Sequence, residues 1–328
     1  MPQKARSALS LNFLSIAAIL ATAPLAASSL ANASAFTFTQ LDVPGATLTA
    51  ARGINDAGQI VGIFANSTGT HGFLDIGGSF SQLDAPGATS TQTLGINDAG
   101  QIVGVLTNGT GTHGFLDTGG SFTPLDAPGA TTTTARGIND AAQIVGFFSN
   151  STGTHGFLDI GGSFTLLDVP GATSTQARGI NNAGQISGVF ANSTGTHGFL
   201  YTGGSFAPFD VPGTSFTTAF GINDAAQIVG FFNDSMGSHG FLDASGSFTQ
   251  LDVPGAIVGD ATLGTGGTAA AGINDSGQIA GVFVNGTGQH GFLATPVPEP
   301  ATLTLLGIGL TLTGLAMRRR RAASPKPH

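Results

Sequence analysis

Three sets of residues in this 328-residue chain have types and spacing that can do chemistry. Histidine forms the first. His71, His113, His155, His197, His239 and His290 each open a His-Gly-Phe triplet, stepping by 42 residues except for a last step of 51, while His328 stands apart in the tail. Acid–base catalysis needs one tuned imidazole at one site. Six equivalent copies instead predict six equivalent structural hydrogen bonds, each to an Asp of the same or an adjacent repeat. A ring of metal ligands is disfavoured because repeat-equivalent positions diverge away from a symmetry axis, so neither metal nor cofactor is expected.

Arginine forms the second set. Arg52, Arg136 and Arg178 share one repeat position, directly before Gly-Ile-Asn, where the other copies carry Leu94, Phe220 and Ala271. A guanidinium fork matches the paired oxygens of carboxylate or sulfate. Three of them in an acidic domain either pair with Asp residues of that domain or grip an anionic group on a sugar chain.

Carboxylates form the third. Asp42-Val43-Pro44-Gly45 and its five equivalents read as strand exits, since Pro has no N–H to donate and Gly tolerates positive φ. Asn55-Asp56-Ala57-Gly58 looks superficially like a calcium loop, which needs several oxygen ligands in close sequence. Only one carboxylate falls in the turn, and the fourth copy has Asn182 there, so a plain turn is expected. The Asn-x-Ser/Thr triplet of each repeat, such as Asn66-Ser67-Thr68, matches the glycosylation pattern and is read as another turn. Asp260 lies in the one insertion, 257–270, that breaks the symmetry, and it joins the three arginines as a candidate ligand-binding residue. No catalytic residue is expected.

Composition narrows the field further. The chain has 10 Lys+Arg, 18 Asp+Glu and a net charge of −8. Between residues 36 and 295 there are three Arg, 17 Asp and no Lys, Glu or Cys, a net charge of −14. The absence of Cys excludes disulfide scaffolds, zinc fingers, iron–sulfur clusters and thiol nucleophiles. So few basic residues exclude nucleic-acid binding. With 41% apolar residues and 24 Phe the chain is not disordered, and 52 Gly disfavour helices, each costing about 1 kcal/mol there.

The elements that must position these residues follow from the repeat. One unit predicts four short strands, 51–55, 59–65, 71–76 and 80–84, separated by Asp-Ala-Gly, Asn-Ser-Thr-Gly and Gly-Gly turns. The second is apolar on both faces and must be covered on both. Four strands in about 40–45 residues, repeated, is the signature of a β-propeller blade. The chain starts on a fourth-type strand, 36–41, and stops on a third-type strand, 290–293. Pairing the two closes a six-bladed ring and removes two sheet edges. The alternative is an open β-solenoid or repeat array, which needs polar capping repeats. The repeats resemble the HAF family of extracellular repeats, with His-Gly-Phe in place of His-Ala-Phe beside Gly-Ile-Asn-Asp-Ala-Gly-Gln-Ile-Val-Gly at 53–62. That resemblance implies extracellular placement and no established chemistry.

Both ends read as addresses. Residues 1–35 resemble a secretory signal peptide: Lys4 and Arg6, an apolar stretch over 11–25, and Ala33-Ser34-Ala35 as a cleavage site. At the other end, Pro298-Glu299-Pro300 precedes an apolar run to Met317 and then Arg318, Arg319, Arg320 and Arg321. The 17 residues from Ala301 to Met317 are a short membrane span, and the Arg cluster sets it cytoplasm-side by the positive-inside rule. The order resembles the PEP-CTERM sorting signal. It implies a Gram-negative bacterium, export by Sec-type machinery, transient inner-membrane anchoring, and processing by an exosortase-like transpeptidase. The domains are therefore a signal peptide (1–35), a six-repeat β-propeller (36–295) and a sorting tail (296–328). The expected function is a non-catalytic binding or structural component of the polysaccharide matrix or cell surface. Its rivals are a protein-interaction ring for an outer-surface assembly and a polysaccharide-acting propeller enzyme.

Overall fold

Period-two alternation and turn chemistry shape every repeat alike. The computed structural model describes residues 35–260 and 265–297. In the first unit the strands are Leu48–Ile54, Ile60–Asn66, Gly69–Ile76 and Ser79–Leu83, each antiparallel to the next. Asn55 closes the first turn, its Oδ1 accepting from Gln59 N (2.9 Å) and its Nδ2 donating to Gln59 Oε1 (2.8 Å). Asn66 Oδ1 closes the second by accepting from Thr68 N at 2.8 Å. Gly77 and Gly78 turn the third with φ of +60° and +89°, the signs a two-residue hairpin of this twist requires.

Among the described residues the regular structure is all β, and no helix is long and apolar enough to cross a membrane. Six such four-stranded units follow one another. Three are separate sheets; the other three are joined by single parallel bridges, Thr112 to Thr132 and Thr154 to Ser174, into a twelve-stranded sheet. No sheet closes on itself. The leading strand Phe36–Leu41 pairs antiparallel with Gly288–Pro296 and supplies the sixth unit's fourth strand, the pairing expected from the two ends of the array. The signal peptide and the sorting tail, with its span and Arg318 to Arg321, lie outside the described residues except for Ala35, Pro296 and Val297.

The core sits between units rather than within them. Val61 of the first unit packs with Ile96, Ile102 and Phe115 of the second. Ala280 of the sixth packs with Ala51, Ile60 and Phe73 of the first. Each unit contributes one fully buried ring: Phe73, Phe115, Phe157, Phe199, Phe241 and Phe292 are all 0% exposed. Burial of both sheet faces is why the second strands carry almost no polar residues.

Candidate functional site

The first strand of every unit contains a register shift, and it falls on the arginine position. The shifts lie between Ala51 and Gly53, Ala135 and Gly137, and Ala177 and Gly179. The same shift occurs around Leu94, Phe220 and Ala271 in the other copies. A bulged residue is re-aimed relative to its strand, and here all six side chains line one cavity. The following Gly is required by close approach: a Cβ on Gly95 would stand 2.6 Å from the Arg136 carbonyl oxygen of the next unit.

Three cavities share walls in sequence. The widest, about 470 Å³, is lined by Arg52, Arg136 and Arg178, by Gln92, Ser174, Gln176 and Thr218, and by Phe216, Phe220 and Phe231. It narrows to about 100 Å³ between the six bulges and Gly-Ile pairs. The last, about 70 Å³, is lined by the Ile-Asn-Asp residues of all six units.

The arginines have no carboxylate partner among the described residues, so the Asp pairing weighed from the sequence is not what the structure contains. Arg178 donates to Gln176 Oε1 at 2.6 Å, and its guanidinium lies 4.6 Å from the Phe220 ring centre. Arg136 lies 5.3 Å from the same ring. Nε of Arg52 and of Arg178 is buried without a hydrogen-bond partner. All three side chains are half-buried and line this cavity. Burial lowers the pKa of all three. Arg136 goes well below its ordinary value, with repulsion from Arg178 and Arg52 adding to burial. Arg178 drops to about 9, through burial and then repulsion from Arg52.

The carboxylates are used elsewhere. Nδ2 of Asn55 donates to the carbonyl of Asn97, and the link repeats through Asn139, Asn181, Asn223 and Asn274 back to Asn55, each at 3.0–3.1 Å. Beside it, N–H of Asp56 donates to Asp98 Oδ1, and the step repeats through Asp140, Asn182, Asp224 and Asp275 to Asp56 at 2.8–2.9 Å. The residues read from sequence as a plain turn thus join neighbouring units. Asp56 has its pKa raised, first by burial and then by the neighbouring Asp275, Asp98 and Asp140, against the lowering effect of its backbone hydrogen bond from Asp275.

Each repeat histidine is held by its own unit. Nδ1 of His71, His113, His155, His197 and His239 lies 2.7–3.0 Å from the Asp that closes the fourth strand. His290 takes Asp42 from the leading strand at 2.8 Å. In five copies Nε2 faces a Thr hydroxyl, as at Thr68, at 2.8–2.9 Å. Met236 replaces that Thr in the fifth copy, where His239 Nε2 lies 3.3 Å from Asp234 Oδ1. Asp260 sits in the insertion, with its N–H on Thr265 Oγ1 at 3.0 Å, and is not brought to the cavity that the arginines line. The contacts that Phe220 and Gln176 make with the arginines were missed by sequence reasoning. Phe220 occupying the arginine position was the available signal.

The unpaired arginines burden the free protein. Each pKa unit corresponds to about 1.4 kcal/mol, so a guanidinium held near 9 instead of 12.5 carries a burial cost of several kcal/mol. Its cation–π contact returns about 0.5–2 kcal/mol. Arg178→Met is therefore expected to stabilise the ligand-free chain by about 1–3 kcal/mol at pH 7, read from denaturant melts. The sign with pH follows. Above pH 9 the folded chain loses this proton while the unfolded chain keeps it, so wild-type stability rises and the gap to the variant narrows. A less stable variant at pH 7 contradicts the assignment.

Comparison with known proteins adds a destination. A model of the PEP-CTERM protein-sorting motif matches residues 296–321. That motif implies an exported protein, sorted at the membrane as an exosortase substrate and destined for the outside of the cell. No curated protein matches the chain. Solved structures to which the chain is similar include virginiamycin B lyase from Staphylococcus aureus, 14% identical with a TM-score of 0.46, covering 80% of this chain and 100% of that one. A putative gluconolactonase is 10% identical, TM-score 0.46, over 80% and 93%. A YCF48 protein bound to D1 peptide is 12% identical, TM-score 0.41, over 82% and 96%.

Proposed function

We propose that this chain is a secreted six-bladed β-propeller with HAF-type repeats that binds anionic saccharide in the polysaccharide matrix or at the cell surface, without catalysis. The observation that carries the binding reading is the arginine cavity. Three guanidinium groups stand together with no carboxylate beside them, an arrangement that weakens the free protein and is relieved by a bound anion. Sorting by an exosortase supports the destination. The Asn and Asp hydrogen bonds from each unit to the next, and from the sixth back to the first, support a closed ring of six blades. In this reading the signal peptide is removed after export, and the sorting tail anchors the chain in the inner membrane until it is cut near Pro298-Glu299-Pro300.

The hydrogen-bond directions support a non-catalytic role. Asp84, His71 and Thr68 line up in the order of a nucleophile triad, in which the hydroxyl must give its proton to the imidazole. Here Thr68 Oγ1 donates instead to Asn66 Oδ1 at 2.6 Å, so Nε2 faces the hydroxyl's lone pairs. The arrangement ties a turn to a strand edge.

The purified full-length chain should be retained on immobilised polygalacturonate at low salt. The triple variant Arg52→Gln, Arg136→Gln, Arg178→Gln should lose at least about tenfold in retention, since charge-assisted hydrogen bonds to the anion are lost at all three. Equal retention of the triple variant would remove the arginines from the function, and no retention of either would remove polyuronate binding.

A further inference from the structure

The shape and polarity of the arginine cavity restrict how a saccharide can enter it. The volume falls from about 470 Å³ through about 100 Å³ to about 70 Å³ along one path. The first value is within the range of small-molecule sites, about 300–1,000 Å³; the last two fall well below it. The far end is encircled by the ring of Asn amide hydrogen bonds, which ties each unit to the next. Charge is ordered along the same path. Guanidinium groups stand at the floor of the wide cavity, and Asp56, Asp98, Asp140, Asp224 and Asp275 surround the narrow end. A negative ligand is repelled from the acidic end and drawn in from the wide one.

The walls of the wide cavity are also unlike one another. On one side stands the half-buried Phe216, backed by the buried Phe220 and Phe231, which stack at 5.7 Å and 21°. Amides and hydroxyls of Gln92, Gln176, Ser174 and Thr218 line other parts. A pyranose presents C–H groups on one face and hydroxyls at its edge, and an acidic one adds an oxyanion. The three wall types match those three features.

Resting on the binding reading above, we propose that this cavity takes the charged terminal residue of an acidic saccharide, inserted from the wide mouth with its oxyanion against Arg52, Arg136 and Arg178. An internal residue does not fit, because the polymer on its far side has no exit. The site reads chain ends, and a free acidic monosaccharide carries the same chemistry.

Titration calorimetry on the full-length chain tests this with galacturonate, its tetramer, and long polygalacturonate at equal residue concentration. From the tetramer to the long polymer, apparent affinity per residue should fall in proportion to chain length, so a tenfold longer polymer binds about tenfold more weakly per residue, while affinity per chain stays constant. A tetramer binding at least tenfold more tightly than the monomer identifies a polymer end as the ligand, and equal affinity identifies the free acid; either supports the end-group site. Arg136→Gln should weaken binding of monomer and tetramer alike by at least tenfold, with a melting midpoint no lower than the parent's as the folding control. Affinity per residue that is independent of length would overturn end recognition while leaving saccharide binding intact. Absence of binding at every length would overturn both.

Discussion

Removal of residues 36–41 is expected to unfold the domain or turn it into an associating species. Those residues pair along their whole length with Gly288–Pro296. Phe36 and Leu41 are each 8% exposed, and Phe38 meets Phe292 edge to face at 5.8 Å. Burying a large apolar side chain contributes about 1.5–3 kcal/mol, so three of them contribute roughly 5–8 kcal/mol. A whole domain has about 5–15 kcal/mol. The melting midpoint should fall by roughly 10–20 °C. The bared edge of the last strand should promote association visible in size-exclusion chromatography. His290 also loses Asp42, its Nδ1 partner. Grafting the same six residues behind Pro296, through a Gly-Gly turn like that at Gly77-Gly78, should restore both the midpoint and the parent's elution position. A deletion variant that melts like the parent would show that the two ends of the array do not support one another.

Two glycines four residues apart, one in a turn and one in the following strand, should behave in opposite ways. Gly104 lies in a second strand where a Cβ would fall on the Gln92 carbonyl oxygen and 2.8 Å from the Phe115 ring. Both neighbours are locked, the first in a backbone ladder and the second as a fully buried ring. Overpacking of this kind costs about 1–3 kcal/mol and more where backbone must move, so Gly104→Ala should lose at least about 3 kcal/mol. Gly100 has φ of +74° but open space around it. Ala142 and Ala226 occupy the equivalent turn position at φ of +55° and +56°. Gly100→Ala should therefore cost only about 1 kcal/mol. Comparable losses in denaturant titrations would mean that the second strands are not packed as tightly as this.

Much of the architecture is legible because it is local. Asn66-Ser67-Thr68-Gly69 and Gly77-Gly78 carry their turn geometry in their own side chains and φ preferences. The apolar run Ile60, Val61, Ile63, Phe64 requires cover on both faces wherever it sits. The strand boundaries accordingly match the expected ones to within three residues, as Leu48–Ile54 against 51–55 shows. The unpaired fourth-type strand at the start and the missing one at the end could be matched from the repeat alone.

The site was less legible for a reason of geometry. Sequence placed Arg52, Arg136 and Arg178 at one repeat position but could not say what lay within reach of them. With 17 Asp available, pairing was the natural expectation. The tertiary structure separates the charges because the Asp of the Asn-Asp turn is displaced along the strand to the narrow end, while the bulge turns the arginine side chains into the cavity. Likewise Asn55 reads as a turn former. Its bond to Asn97 comes from units stacked 42 residues apart, a separation at which no local preference acts. The chain by itself determined what recurs: six units, their strands and their turns, together with the sorting motif at 296–321; it left open whether each His meets an Asp of its own or of the adjacent unit. Only the tertiary structure decided what meets across units, since contacts between repeats depend on how twisted sheets stack and on where a one-residue bulge points a side chain.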